Sequence, residues 1–181
     1  MTIIAPCDAE EMKMLMPLTY QWNGPVYIRL AKGGDPVVSR CDAHYQIGKA
    51  ILMKEGKDVL LISTGVATQV ALESADLIEK EGLTVGVLHM HTLKPLDETI
   101  LKELARHYSA IISIEEHIII GGLGGAVSEV LSEARLPSLR FKRIGIGDQF
   151  VDKYGSQKDL FSYFGITKEK IAKESQILLQ H

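Results

Sequence analysis

The chain has 181 residues, with 20 Lys and Arg against 23 Asp and Glu, a formal net charge of -3 and 46% hydrophobic residues. That length suits one domain with room for an appendage, at roughly 100–200 residues per domain, and the apolar content supports a packed core rather than a disordered chain. The charge balance disfavours a nucleic-acid binder working through bulk positive charge; no apolar run approaches the roughly 18–20 residues that span a bilayer, and no secretory leader is visible.

In chain order, residues 2–5 read as a short strand. Asp8 and Glu11 form an acidic variant of a capping box that opens a helix through Met12 and Leu15. Pro17 should kink or end that helix. Gly24-Pro25 is a turn, residues 26–30 are a second strand, and Lys32-Gly33-Gly34-Asp35-Pro36 is a linker. A strand–helix–strand unit this small cannot bury its own faces. It must pack on the following domain or on another one. Cys7 and Cys41 form no CxxC pair and read as reduced thiols of a cytoplasmic protein.

Four apolar runs follow, at residues 59–63, 85–88, 110–114 and 139–144. The first three are nearly continuous, as expected of strands covered on both faces. The fourth interleaves Arg140, Lys142 and Arg143, which predicts a position nearer an edge. Helices are predicted between them. One spans residues 67–80 with Ala71, Ala75 and Ile78 on one stripe, stopped by Gly82. Another follows Asp97 as N-cap. A third spans residues 126–134 after a glycine cluster. Thr167 caps the last helix, with Ile166 and Ile171 placed as a hydrophobic staple. This alternation predicts a three-layer α/β/α architecture with a mainly parallel sheet.

Four groups could carry chemistry. Gly121-Gly122-Leu123-Gly124-Gly125 sits between a strand and a helix, where backbone N–H groups could cradle a phosphate. It fits neither the G-x-G-x-x-G nor the P-loop pattern, so tight strand–helix packing is the competing reading. Glu115-Glu116-His117 ends the third run, at the edge where parallel sheets bind ligands. It could do acid–base work or serve as a hydrogen-bonded capping cluster. His89 and His91 share a face of an extended chain but lack the further ligands a metal site needs. Arg29 and Lys32 end the second strand; they could grip a phosphorylated substrate or form an exposed pair at a domain junction.

Taken in order, the motifs resemble the transketolase-like family of thiamine diphosphate enzymes. Ala5-Pro6-Cys7-Asp8-Ala9-Glu10-Glu11 is similar to its A-P-x-D-x-x-E segment, and residues 24–33 to its G-P-x-x-x-R-x-x-R/K-G strand. Residues 56–65 resemble its G-x-D-V-x-x-x-x-x-G strand, and Lys94-Pro95-Leu96-Asp97 its K-P-L-D turn. Glu115-Glu116-His117 with Gly121-Gly122-Leu123-Gly124 resembles its E-E/D-H…G-G-x-G stretch.

The resemblance implies that residues 1–35 are the end of a pyrimidine-binding domain and residues 36–181 the family's C-terminal domain. It implies a two-carbon ketol transfer between sugar phosphates, for which thiamine diphosphate, bound with Mg2+, is the electron sink. The cofactor motifs are absent from this sequence. The chain alone is therefore expected to hold no cofactor and no metal, to supply no catalytic residue, and to be inactive. Its implied role is dimer contact and active-site support beside an N-terminal domain or subunit. Lys32 aligns with the family's phosphate-holding arginine, keeping the charge without the bidentate fork. Arg29 is its structural neighbour, and Glu116, His117, Gly121, Gly122 and Gly124 are implied to lie at an interface or to support the domain. Within the family, deoxyxylulose-phosphate synthase and the 2-oxoacid dehydrogenase β subunit are the rivals. Outside it, the rival is a non-catalytic module binding an anion or nucleotide at the glycine loop.

Overall fold

Residues that alternate along the central strands divide the core into two apolar layers. The computed structural model describes residues 1–136 and 139–180. Among these, the strands are β1 (Thr2–Ile4), β2 (Val26–Ile28), β3 (Ile51–Lys54), β4 (Val59–Ser63), β5 (Val85–His89), β6 (Thr92–Lys94), β7 (Ala110–Ile118) and β8 (Arg140–Ile146). The helices are α1 (Ala9–Gln21), α2 (Ala67–Glu79), α3 (Glu98–Ala105), α4 (Leu123–Ala134), α5 (Gln157–Phe164) and α6 (Lys168–Gln180).

The main sheet has the order β3-β5-β4-β7-β8. All its neighbours are parallel except β3, which runs antiparallel to β5. Val59 and Leu61 point into one layer with Ala71, Ala75 and Ile78 of α2 and Ile171 of α6. Leu60 and Ile62 point into the other with Leu101 of α3 and Val127 of α4. Each fully buried side chain of this kind contributes about 1.5–3 kcal/mol, so the two-sided burial of β4 fixes its register. The predicted three-layer architecture holds, and β8 lies at the edge of the sheet as its interleaved cations indicate.

The first strand–helix–strand unit packs on this domain through a second, small sheet of order β2-β1-β6. β1 runs parallel to β2 and antiparallel to β6, a strand that belongs to the chain after β5. Ile4 and Leu15 are fully buried together with Tyr45 and Ile51. The outer face of α1 exposes Met16 and Tyr20, while Tyr27, half exposed, lines a cavity with Thr64 and His117 on the other face of the small sheet.

Several local expectations are corrected. α1 continues through Pro17 to Gln21. Pro17 and Lys13 both lie on the exposed side, so the carbonyl that loses its partner faces water while Leu15 stays packed. Asp97 precedes α3 but makes no cap; its carboxylate accepts from the Ala50 N–H at 3.2 Å and pairs with Lys49 at 3.6 Å. α4 begins at Leu123, taking two glycines into its first turn, and the second strand stops at Ile28. β3, β6 and α5 were not expected; β3 and β6 are three or four residues long, with mixed burial and no clear period. The final helix starts as predicted, with the Lys170 N–H on Thr167 Oγ1 at 3.3 Å and Ile166 and Ile171 buried.

Candidate functional site at the carboxyl edge of the sheet

The strand order reverses at β4: the chain steps from β4 to β5 on one side, then returns to β7 on the other. In an open parallel sheet, the crevice outside the carboxyl ends of such a pair is where ligands bind. Here the chain's own first unit covers it, leaving a cavity of about 170 Å³ between Ala5, Arg29, Thr64 and His117. The Gly65 N–H after β4 donates to the Ala5 carbonyl at 3.1 Å, and the Ala5 N–H donates to the His91 carbonyl at 2.8 Å. The Arg29 guanidinium donates to the Glu116 carbonyl and lies 3.6 Å from the Glu116 carboxylate. Gln157 of α5 donates to that same carboxylate at 2.9 Å. Between Ala5, Arg29, Gly65 and Glu116 only about 10 Å³ remains, room for a single water.

Arg29 is thus turned inward onto Glu116, and the predicted pair separates: Lys32 is exposed and, among the described residues, makes no ion pair. Lys32 lies between Ala31 and Gly33, which line a cleft of about 230 Å³ together with Cys7, Asp8, Met12 and Asp35. Asp8 shapes one wall. Its carboxylate caps the Glu11 N–H at 2.9 Å and gathers the Val38 and Ser39 N–H groups at 2.7 Å each. Burial opposes the Asp8 charge, but these N–H donors and the Ser39 hydroxyl hold its carboxyl below the usual range.

The glycine loop is filled from within. Glu115, fully buried, accepts the Leu123 N–H at 2.7 Å and the Gly124 N–H at 2.8 Å. A carboxylate of the protein itself therefore occupies the anion position at the start of α4. Burial raises the Glu115 carboxyl above its ordinary range despite these donors. The phosphate-cradle reading is overturned and the packing reading stands. A Cβ on Gly122 would come within 2.0 Å of Glu115 Oε2, and one on Gly124 within 2.7 Å of Ser113 Oγ. Gly122→Ala is expected to cost roughly 1–3 kcal/mol by overpacking, read as a lowered denaturation midpoint with an unchanged slope. His117 donates from Nδ1 to the Ile118 carbonyl at 2.8 Å and lines a cavity of about 170 Å³ with Arg29 and Gly122. Glu116 contacts Arg29 and Gln157 across the junction, and His117 Nδ1 lies 4.0 Å from Glu115 Oε2 beside the cavity.

His89 and His91 are both buried, and sequence spacing hides what surrounds them. His89 Nε2 donates to the Glu11 carboxylate at 2.9 Å, and its Nδ1 lies 2.7 Å from Thr68 Oγ1. Thr68 in turn accepts from the Ser63 hydroxyl at 3.0 Å. Glu11 also accepts the Cys7 N–H at 2.5 Å, so its side chain reaches one residue further back than a capping box does. Burial works against the Glu11 charge, but His89, His91 and the Cys7 N–H together lower its pKa. Burial and the Glu11 and Asp8 charges push the Cys7 thiol far upward. In the sequence Asp8 and Glu11 read as a capping box and Cys7 as a reduced thiol, all three within the Ala5–Glu11 motif. A polar residue at each apolar-facing position was the available signal, and it named no partner.

These features define an α/β domain whose ligand-side crevice is covered by a strand–helix–strand unit from its amino-terminal side. Comparison with known proteins gives the family. The family described as "Transketolase, C-terminal domain" matches residues 48–171. A putative uncharacterized transketolase family protein of Sinorhizobium fredii is 42% identical over 173 residues, covering 94% of this chain and 50% of that protein. A putative transketolase C-terminal section of Methanocaldococcus jannaschii is 34% identical over 175 residues, 96% of this chain and 54% of that protein. A solved structure described as a split gene transketolase, inactive β4 tetramer, superposes with a TM-score of 0.91 at 36% identity, covering 99% of this chain and 58% of that one. The chain belongs to the transketolase C-terminal domain family, and it spans about half the length of the relatives it matches. Among the described residues, no helix is long and apolar enough to cross a membrane.

Proposed function

We propose that this chain is the C-terminal section of a transketolase that moves a two-carbon ketol unit between sugar phosphates, active only with an N-terminal section. In this reading residues 1–35 complete a pyrimidine-binding domain and residues 36–181 form the C-terminal domain, with a dimer as the working assembly in the cytoplasm. One observation carries it: relatives named for transketolase align over nearly all of this chain but only about half of themselves. The exposed Met16 and Tyr20 on the outer face of α1 support a further body there.

The family implies thiamine diphosphate with Mg2+, and the described residues do not fit that group. The glycine-loop helix start, the cradle a diphosphate would need, is taken by Glu115. The Cys7, Glu11 and His89 cluster offers sulfur and nitrogen where Mg2+ takes oxygen. We assign the cofactor to the N-terminal section, and no step of its chemistry is derived from this chain. The chain's residues act on substrate and shape. Lys32, exposed between the cleft-lining Ala31 and Gly33, attracts the substrate phosphate. Asp8 clamps the loop around it, and Arg29 with Glu116 locks the two units together. Calorimetry tests this directly: the chain alone should give no heat with thiamine diphosphate and Mg2+, and micromolar binding would contradict the division of labour.

A further inference from the structure

We propose that Cys7, Glu11 and His89 form a site for one borderline-soft divalent metal ion of the zinc class, separate from any cofactor metal. A sulfur, a carboxylate oxygen and an imidazole nitrogen from these residues lie within 4.8 Å of one another. They come from the turn before α1, the first turn of α1 and the end of β5, so an ion there would bind the first unit to the main domain. All three are buried, at 2%, 0% and 1% exposure. A mixed S/N/O donor set suits zinc rather than magnesium or calcium. Around a tetrahedral ion, donors stand about 3.3–3.8 Å apart, from metal–ligand bonds of about 2.0–2.3 Å. The donors therefore stand about 1–1.5 Å further apart at most than a bound ion would hold them.

Three further features point to a ligand. Thr68 Oγ1, 2.7 Å from His89 Nδ1 and supported by Ser63, orients the ring with Nε2 toward Glu11, as outer partners of metal-bound histidines do. His91 Nε2 is buried without any hydrogen-bond partner, and its ring lies 6.0 Å from that of His89. It is an unsatisfied nitrogen beside the three donors, and the fourth position of the ion falls to it through a bridging water or to a water alone. Cys7 also lines the 230 Å³ cleft, which gives an ion a route in from solvent. The protons balance simply. Ligation releases the Cys7 thiol proton to water, and the His89 proton moves from Nε2 to Nδ1, which then donates a hydrogen bond to Thr68 Oγ1 while the Thr68 hydroxyl turns to donate to Ser63 Oγ. Glutamate and thiolate then cancel the charge of the dication in a buried place.

The test uses the full chain purified without chelator. Elemental analysis should find one zinc per chain. After stripping, Co2+ should give a thiolate charge-transfer band that survives Cys41→Ser, disappears in Cys7→Ala and needs at least tenfold more Co2+ in His89→Gln. Zinc at 100 times its Kd should lower the unfolding constant about 100-fold, and Mg2+ should not. If Cys7→Ala fails to fold, the zinc effect on wild-type unfolding and the Cys41→Ser spectrum decide. Absence of stoichiometric metal together with unfolding unmoved by zinc overturns the proposal, as does a cobalt band that persists without Cys7.

Discussion

Replacing Glu11 with alanine is expected to lower stability by about 2–6 kcal/mol. The carboxylate is fully buried and accepts from both the Cys7 N–H and His89 Nε2. Its removal orphans two buried donors, at about 1–3 kcal/mol each. Against a typical total of about 5–15 kcal/mol, that is a large fraction of the fold's stability. Glu11→Gln keeps one acceptor oxygen and should lose less. The measurement is denaturant unfolding in chelator, with a Glu11→Gln/His89→Gln double-mutant cycle to separate the pair from its members. A loss for Glu11→Ala below about 0.5 kcal/mol would remove this contact from the junction.

The same cluster sets an acid limit. Burial chiefly holds the His91 ring neutral, with Glu11 pulling the other way and His89 adding to the effect, so its pKa falls from 6.5 to about 4. Between those values the unfolded chain binds a proton that the folded chain does not. The stabilisation is therefore complete above pH 6.5 and is lost as pH falls toward 4, about 3 kcal/mol in all. Glu11, with its pKa lowered, acts in the same sense: its contribution is present above the ordinary carboxylate range and is lost as pH falls through its folded value. Glu115, raised, acts in the opposite sense. Stability should fall from pH 6.5 to 4.5, and His91→Gln should flatten that slope.

Lys32→Ala is expected to raise KM for phosphorylated sugars by about 10- to 150-fold in the reconstituted enzyme, from a charge-assisted contact of about 1.5–3 kcal/mol. KM for unphosphorylated sugars should stay within about twofold, and kcat should change little if the contact is equal in ground and transition states. Lys32→Arg, by restoring a planar fork, should bind phosphorylated substrate at least as well as Lys32. Equal effects on both sugar classes would remove Lys32 from phosphate recognition. Its freedom from any ion pair among the described residues is what leaves it available, whereas Arg29 is turned onto Glu116.

What the sequence made legible follows from period and context. Continuous apolar runs marked β4, β5 and β7, and interleaved cations marked β8 as an edge. The short strands β3 and β6 escaped because three or four residues carry no period and their pairing is made by distant partners. The site divided in the same way. The glycine cluster was open to a packing reading and Glu115 to a capping one, but nothing in the sequence joined the two across eight residues. Glu11 lies 78 residues from His89, and only the docking of the first unit on the sheet edge brings them together. Asp97, chosen as a cap, was taken instead by the Ala50 N–H and the Lys49 ammonium.

Reconstitution tests the central claim most directly. The chain is mixed with a separately expressed N-terminal section carrying the family's thiamine diphosphate motifs, and ketol transfer from a ketose phosphate to an aldose phosphate is followed. The account predicts no turnover from either part alone and turnover from the mixture, saturating at one chain per N-terminal section. Turnover by this chain alone, or a mixture that binds but uses only pyruvate as donor in the manner of a deoxyxylulose-phosphate synthase, would contradict it.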